Sequence, residues 1–172
     1  MNMNNQEKNA YVRTQILKTL LEMMQEQSFD SIVISTLVKR AEVGRASFYR
    51  NFTDLRDVLK QESDRLIKGW DGCFKMDGTD NFSEELAGLL DHLKKNEAFY
   101  LNVYKAGMED VVKDTIISLF PISEDFPNAL AYTYSFIAYS VYGWIHEWIR
   151  RGMQESGTEL ALMIAASQQK NN

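Results

Sequence analysis

The scarcity of proline allows helices to form along most of this chain. The two prolines, Pro121 and Pro127, lie in one short segment, and the rest of the 172 residues contains few helix breakers. Because proline fixes φ and removes a backbone donor, helices rarely continue through it, so the remainder of the chain is expected to be mostly helical. The hydrophobic fraction of 45% suits one good-sized core, or a small head domain fused to a larger helical body.

Apolar residues recur at helical spacing along most of the chain, which predicts an all-α fold of about nine helices. The predicted helices cover residues 9–27, 45–51, 53–74, 83–95, 97–107, 109–120, 128–151 and 158–168, with one more short helix after Ser35. A loop over 75–82 is the expected boundary within the body. The predicted head is residues 1–52 and the predicted body is residues 53–172.

Residues 35–52 predict two short helices joined by a tight turn. The hydroxyl of Ser35 can cap the first helix, and Val43-Gly44 forms the turn, where glycine tolerates a positive φ. Phe48 and Phe52 lie four apart, so they share a face that anchors the second helix on its neighbours. This is the pattern of a helix-turn-helix, whose second helix enters the DNA major groove.

The charge of the chain is unevenly spread. The net charge is -5, which by itself argues against nucleic acid. Residues 1–68 carry 11 Lys/Arg against 9 Asp/Glu, or +2, and residues 69–172 carry 8 against 15, or -7. A positive local field is therefore expected at the predicted DNA face. Within it one acid opposes four bases: Glu42 against Lys39, Arg40, Arg45 and Arg50.

Residues 11–60 resemble the N-terminal DNA-binding domain of the TetR (tetracycline-repressor-like) family of bacterial regulators. The strongest piece is residues 43–52, VGRASFYRNF, which is close to the family's usual V-S-x-G-T-F-Y-R-H-F. Some residues in and around this piece depart from what is usual in the family: Asn51 stands where histidine is common, Glu42 where glycine is common, and Leu55 where a phosphate-binding lysine is frequent. Farther on, residues 142–153 are similar, more weakly, to the penultimate helix of one subgroup.

The resemblance implies a dimer that binds a palindromic operator on double-stranded DNA. It implies base contacts from Arg45, Ala46 and Ser47, and phosphate contacts from Tyr49 and from Asn51 in place of the histidine. Arg56 is expected to substitute for the missing lysine. The remaining predicted DNA-binding residues are Ser35, Thr36 and Arg50.

Residue chemistry refines these expectations. Arg45, at the start of the second helix, can donate bidentately to guanine O6 and N7. Arg50 either contacts DNA or pairs with an acid such as Asp54. Tyr49 either bonds a phosphate through its hydroxyl or packs between the first and third helices, and one of Lys39 and Arg40 is expected to reach a phosphate.

Aromatic residues crowd into the body, and the helix predicted over 128–151 is apolar on two faces, so it is expected to be sandwiched. One face would meet the core or a pocket and the other a partner subunit, and the pattern alone does not say which. For any single aromatic residue, plain core is the alternative. The residues assigned to an effector pocket are Trp70, Phe74, Tyr100, Tyr104, Tyr132, Phe136 and Tyr139. The residues assigned to a dimer interface are Tyr134, Ile137, Val141, Ile145, Trp148, Leu160 and Ile164.

Other functional classes find little support. Cys73 is the single cysteine, and His92 and His146 are the only histidines, with no metal-ligand spacing among them. No nucleophile–base pattern or phosphate-cradling glycine loop occurs. We therefore expect no enzyme activity, no cofactor and no metal.

The chain shows no membrane or export signal. Residues 126–146 carry no formal charge, yet their proline, tyrosine and hydroxyl content fits a buried helix better than a membrane span. The N-terminus lacks an apolar run, and a single cysteine forms no intramolecular disulfide. A cytoplasmic protein is expected.

These patterns predict a homodimeric transcription regulator, most simply a repressor released by a small hydrophobic or aromatic effector. One alternative is a regulator controlled by a protein partner, or by a metal, in place of an organic ligand. A third hypothesis is a small-molecule-binding helical protein whose helix-turn-helix is vestigial.

Overall fold

The structure is a computed structural model that describes residues 4–70, 72, 74 and 82–169, with side chains through Ala166. Within these residues every regular element is helical: nine α-helices and one short 3-10 turn, Phe29–Ser31. The predicted all-α fold is therefore confirmed. Cys73 and most of the loop predicted over 75–82 lie outside the described residues.

Most helices begin and end within a few residues of their predicted bounds. They are α1 (Asn5–Glu26), α2 (Ile34–Arg40), α3 (Arg45–Asn51), α4 (Leu55–Lys68), α5 (Phe82–Lys94), α6 (Glu97–Lys105), α7 (Glu109–Ile117), α8 (Asn128–Arg150) and α9 (Gly157–Gln169). The prediction was too long for α4, which ends before Gly69, and for α7, which ends before Ser118.

Helix α1 begins four residues earlier than predicted, because a capping box stabilises its first turn. Asn4 Oδ1 accepts a 2.9 Å bond from the Glu7 backbone N–H, and Glu7 Oε2 accepts a 2.8 Å bond from the Asn4 N–H. Two backbone donors that the helix itself leaves unpaired are thereby satisfied. The apolar stripe used for the prediction starts farther along the helix, so it did not reveal this polar start.

The head is a three-helix unit in which α3 rests on α1 and α2. Ile16, Leu20, Leu37 and Phe48 are fully buried. Phe52 is almost fully buried too, and its ring lies 5.7 Å from that of Phe48. Both phenylalanines therefore anchor α3 as their spacing predicts.

The turn between α2 and α3 corrects two predictions. Helix α2 starts at Ile34 with Val33 as its N-cap and without a side-chain cap bond, so Ser35 lies inside the first turn and is not the cap. Gly44 has an ordinary extended conformation, with φ of -72°. The left-handed residue of the turn is Glu42, with φ of 54°.

Glu42 is left-handed because it follows the C-cap of a Schellman motif. The Val43 N–H donates to Val38 O at 3.0 Å, and the Glu42 N–H donates to Lys39 O at 3.3 Å. This pair of bonds needs a left-handed residue at the position of Glu42, where glycine has no Cβ penalty. The geometry thus explains why glycine would be the favoured residue there.

The ends of α6 and α8 use the same motif with glycine. Gly107 has φ of 73° and Gly152 has φ of 85°. The residue after each glycine donates back to the helix, Met108 N–H to Val103 O at 3.1 Å and Met153 N–H to Trp148 O at 2.8 Å. Of these three helix ends, only that of α2 has a residue with a Cβ, Glu42, at the left-handed position that glycine occupies in the other two.

The body packs around α8 and the α5–α9 pair, and α4 joins it to the head. Helix α4 contacts α1 on the head side and α7 on the body side, while α8 packs on α6 and α7. Helices α5 and α9 approach closely at Gly157, where an added Cβ would lie 2.3 Å from the Asp91 backbone nitrogen. One hydrophobic cluster runs through both parts, from Ile16 to Ile164.

We predict that Glu42→Gly stabilises the protein by about 0.5–1 kcal/mol. Removing the Cβ from a residue in the left-handed conformation stabilises the folded state by roughly 1–2 kcal/mol. The greater freedom of glycine in the unfolded chain offsets about 0.4–1 kcal/mol of that stabilisation. The free energy of unfolding is measured by urea titration.

Two control variants separate the backbone effect from the charge. Glu42→Gln removes the carboxylate but keeps the Cβ, so it should leave stability nearly unchanged. Gly107→Ala makes the reverse change at a site where no other atom lies within 4 Å of the added Cβ, so it should destabilise by about 1 kcal/mol. Equal stabilities of Glu42→Gly and Glu42→Gln would contradict the explanation.

Candidate DNA-binding surface and aromatic body

Helix α3 presents one face to solvent and buries the other. Arg45, Ala46 and Arg50 are exposed, and half of Tyr49 is accessible, whereas Phe48 is fully buried. Because Tyr49 is half-exposed, it is not enclosed between α1 and α3, which was the alternative for this residue. The exposed face begins at the N-terminal end of α3, the end that a recognition helix directs at base edges.

Arg45 is held by a ring on its own helix. Its guanidinium carbon lies 5.7 Å from the centroid of the Tyr49 ring, a cation–π contact across one turn. The Tyr49 ring is in turn packed edge-on against Phe48, at 5.3 Å between centroids and 85° between planes. The buried anchor of α3 thus orients Tyr49, and Tyr49 orients Arg45, while the guanidinium remains accessible.

Three further polar residues of α3 bond one another. Arg50 Nη2 donates to Ser47 Oγ at 2.7 Å, and Asn51 Nδ2 donates to the Ser47 carbonyl at 2.8 Å. The Arg50–Asp54 pair, one of the two alternatives for Arg50, does not form: Asp54 Oδ1 instead caps α4 by accepting the Asp57 N–H at 2.8 Å. Ser47, Arg50 and Asn51 therefore each have an internal partner.

The exposed polar residues of α2 divide in a similar way. Ser35 and Thr36 are exposed in its first turn, and Lys39 is exposed near its end. Arg40 instead forms a bidentate pair with Glu26 of α1, at 2.5 and 2.7 Å. The hydrogen bond from Arg40 lowers the pKa of the Glu26 carboxyl, and the same bond raises the pKa of Arg40. Lys39 is thus the better placed of the two cations for a phosphate.

Arg56 is engaged by the body. Its guanidinium forms an ion pair with Asp110 of α7, and Nη1 lies 3.7 Å from Met108 Sδ. The sequence placed Arg56 among the phosphate-binding residues, and its position in α4 gave no sign of a partner more than fifty residues away.

One groove brings several of the predicted DNA-binding residues together. It has a volume of about 550 Å³ and lies between the start of α2, α3 and the start of α4. Ser35, Arg45, Tyr49 and Arg56 all line it, beside apolar Val33. The structure therefore gathers side chains from three helices on one concave surface.

The stripe of α8 that was assigned to the dimer interface is mostly buried, and the stripe that was assigned to the pocket is mostly exposed. Val141, Ile145 and Trp148 are buried in the core of the protomer, so they cannot contact a second subunit. Tyr132 and Phe136, assigned to a pocket, are 70% and 74% exposed. Both stripes are apolar at helical spacing, and spacing alone does not say which one meets α6 and α7.

The remaining members of both sets follow this division. Tyr134 and Ile164 are buried, and Ile137 and Leu160 are partly buried, whereas Tyr139 is 55% exposed. Exposed apolar side chains also occur on α9, at Leu162 and Met163, where sequence reasoning made no assignment. In the sequence, the available signal for this exposed surface was the presence of large apolar residues on the last two helices.

Of the other residues assigned to the pocket, Phe74 and Tyr100 are buried, and Trp70 and Tyr104 are partly buried. Trp70 and Phe74 belong to a ring cluster in which Phe74 stacks on Phe120 at 4.7 Å. Four grooves of about 240 to 550 Å³ lie among the described residues, and none of these four is lined by the seven residues assigned to the pocket.

The buried and partly buried tyrosines of the body differ in their hydrogen bonds. The Tyr104 hydroxyl lies 3.3 Å from His146 Nδ1, and the Tyr142 hydroxyl lies 3.4 Å from the same atom. Burial raises the pKa of both of these tyrosines. Tyr100 is fully enclosed, and burial raises the pKa of its hydroxyl, which has no hydrogen-bond partner among the described residues.

The comparisons with known proteins place this architecture in a family. Residues 80–170, more than half of the chain, match the TetR C-terminal family described as "Transcriptional regulator C-terminal region". The chain belongs to the TetR family of transcription regulators. The match covers α5 to α9, so it is independent of the helix-turn-helix pattern in residues 35–52.

A solved structure shares the TetR-family fold of this chain along nearly its whole length. It is that of Lin0861 from Listeria innocua, with a TM-score of 0.73 and 16% sequence identity over 100% of this chain and 97% of the other. At this identity the likeness concerns the fold alone. No curated protein matches the chain.

The described part of this TetR-family chain contains neither a metal-binding cluster nor a membrane-spanning helix. Residues 4–70, 72, 74 and 82–169 contain no cluster of three or more His, Cys, Asp or Glu side chains that would hold a metal ion. Over the same residues no helix has both the length and the apolar character needed to cross a membrane.

We predict opposite effects on stability for two Tyr→Phe substitutions on α6. Tyr100→Phe removes a buried hydroxyl without a protein partner, so it should be neutral or stabilise by up to about 1 kcal/mol. Tyr104→Phe removes the bond to His146 and should destabilise by about 1 kcal/mol. Chemical denaturation measures both, and a clear loss of stability in Tyr100→Phe would reveal an unseen partner for that hydroxyl.

Proposed function

We propose that this TetR-family regulator binds double-stranded DNA through α3, as a homodimer on a palindromic operator. The observation that carries the proposal is the exposed, oriented guanidinium of Arg45 at the N-terminal end of α3. Arginine in this position donates bidentately to guanine O6 and N7, which is the commonest specific base contact in the major groove.

The neighbouring side chains are suited to different contacts, some to bases and others to phosphates. Ala46, exposed beside Arg45, offers a methyl group that suits the methyl group of thymine. The Tyr49 hydroxyl and Lys39 suit phosphates, which set the register of the protein without reading sequence. Ser35 and Thr36 add hydroxyl donors at the start of α2.

We predict that Arg45→Ala weakens binding to the preferred DNA site by about 1–3 kcal/mol per half-site, because it removes a bidentate base contact. Tyr49→Phe should cost about 1 kcal/mol, since it removes one phosphate bond but keeps the ring that orients Arg45. The probe is a duplex enriched by the wild-type protein from a randomised library, and fluorescence anisotropy measures affinity.

The matched control is Lys95→Ala, which removes one exposed positive charge just after the end of α5. It should change affinity little, and only through the net charge. If the library yields no preferred sequence, or if Arg45→Ala and Lys95→Ala bind alike, α3 is not the recognition helix.

The proposed dimer uses the exposed faces of α8 and α9. Tyr132, Phe136 and Tyr139 form an aromatic row on α8, and a Cβ built on Gly143 of that helix would meet open space. Exposed apolar rows of this kind are rare on a monomer surface unless a partner covers them. A two-fold dimer would match the symmetry of a palindromic operator.

We predict that Phe136→Glu converts the dimer to a monomer at micromolar concentration, because a carboxylate would be buried in an apolar interface. Folding of the protomer should be preserved, since this side chain lies on its surface. Analytical ultracentrifugation reports the mass. Tyr11→Glu, at an exposed aromatic residue of α1, is the control and should remain a dimer; dissociation of both variants, or of neither, would argue against the α8 interface.

The proposed output is repression that a small hydrophobic or aromatic effector relieves. Such an effector shifts the population toward a conformer whose two heads no longer fit adjacent major grooves, and it does so only by binding that conformer more tightly. Within the part of the chain that the structure describes, the enclosed Tyr100 hydroxyl and the Trp148 indole nitrogen have no hydrogen-bond partner, which supports a polar anchor for an effector inside the body.

Control by a protein partner is the second candidate: that partner would cover the exposed aromatic row on α8 in place of a second copy of the chain. A thermal-shift screen with hydrophobic and aromatic metabolites separates the two. An effector present at about one hundred times its Kd should stabilise the protein by about 2.7 kcal/mol. Absence of any shift across the screen would favour the protein partner.

A further inference from the structure

Arg56 lies where the DNA-side groove meets the body. It is the second residue of α4 and lines the same groove as Arg45 and Tyr49. Its guanidinium is paired with Asp110, in the first turn of α7. The two side chains are 46% and 44% exposed, so solvent and other ligands reach the pair.

We propose that Asp110 competes with a DNA phosphate for the Arg56 guanidinium, so that the body sets the DNA affinity of the head. The inference rests on the proposed DNA-binding function. A guanidinium binds carboxylate and phosphate oxygens through the same fork of N–H donors. While Asp110 occupies that fork, Arg56 is withheld from DNA.

The exchange is energetically accessible because the pair is on the surface. Exposed ion pairs contribute little to stability, whereas each phosphate that a cation neutralises releases condensed counterions from the duplex. DNA can therefore displace Asp110, but only at a cost that lowers its net affinity. Asp110 acts as a positioning residue that opposes binding.

The position of this ion pair distinguishes it from the other arginine pair of the head. Arg40 and Glu26 both belong to the head, on α2 and α1, so a movement of the body does not separate them. Arg56 and Asp110 join α4 to α7. A conformer that moves the start of α7 away from α4 frees Arg56 and binds DNA more tightly.

A second polar contact allows the pair to be broken without separating the helices. Thr115 Oγ1 of α7 donates to Asp64 Oδ1 of α4 at 3.1 Å, farther along the same helix pair. Asp110→Asn should therefore fold normally and leave the α4–α7 packing in place, while weakening the hold on Arg56.

The test is a double-mutant cycle measured by DNA binding. Wild type, Asp110→Asn, Arg56→Ala and the double variant are titrated with the enriched duplex and with a random-sequence duplex between about 50 and 200 mM salt. Asp110→Asn should bind both duplexes about three- to tenfold more tightly at the lowest salt. Its plot of log affinity against log salt should steepen by about 0.9 for each additional phosphate that the freed arginine neutralises.

Arg56→Ala should abolish both effects of Asp110→Asn. Asp114→Asn is the charge control, because Asp114 is an exposed acid on the same helix, and it should give neither the full gain nor the steeper salt dependence. Equal effects of the two Asp→Asn changes, or a gain that persists in the Arg56→Ala background, would overturn the competition.

Arg45→Ala in the same titrations separates the two proposals. If wild type prefers the enriched duplex and Arg45→Ala loses that preference, but Asp110 and Arg56 show no coupling, only the competition is wrong. If wild type and Arg45→Ala bind the two duplexes alike, the proposed recognition by α3 fails, and the competition loses its basis with it.

Discussion

The buried face of α4 holds the head and the body in one structure. Val58, Leu59, Leu66 and Ile67 are all buried, on a helix that contacts α1 at one side and α7 at the other. Burying one such side chain contributes about 1.5–3 kcal/mol, far more than an exposed ion pair at the helix edge. The apolar face of α4 therefore supplies most of the cohesion between the head and the body.

Helix α3 depends on its packing against the other two helices of the head. Seven residues are too few for a helix to be stable alone in water, so its geometry follows from the burial of Phe48 against α1 and α2. Several polar residues around it are already bonded within the protein, namely Ser47, Arg50, Asn51 and Arg40. Arg45 is oriented by the Tyr49 ring yet accessible, so the proposed recognition of DNA rests on few side chains.

Local sequence patterns were reliable where a local rule determines the structure. The spacing of Phe48 and Phe52 correctly placed the anchor of α3, and apolar periodicity located all nine helices of the described residues. The start of α1 was missed because a polar capping box extends it. The left-handed turn residue was assigned to Gly44 because glycine is the usual choice, although the Schellman bonds at the end of α2 require it at Glu42.

Local sequence patterns did not predict contacts between residues that are distant along the chain. Apolar spacing showed that α8 has two apolar faces, but the packing of α6 and α7 decided that Val141 and Ile145 are buried and that Phe136 is exposed. The pairing of Arg56 with Asp110 likewise joins residues on separate helices. The sequence by itself determined the helical class, the helix-turn-helix and its exposed basic residues, because these follow from spacing within a few turns. Only the tertiary structure decided which faces are buried and which charges are paired, because both depend on neighbours that are distant along the chain.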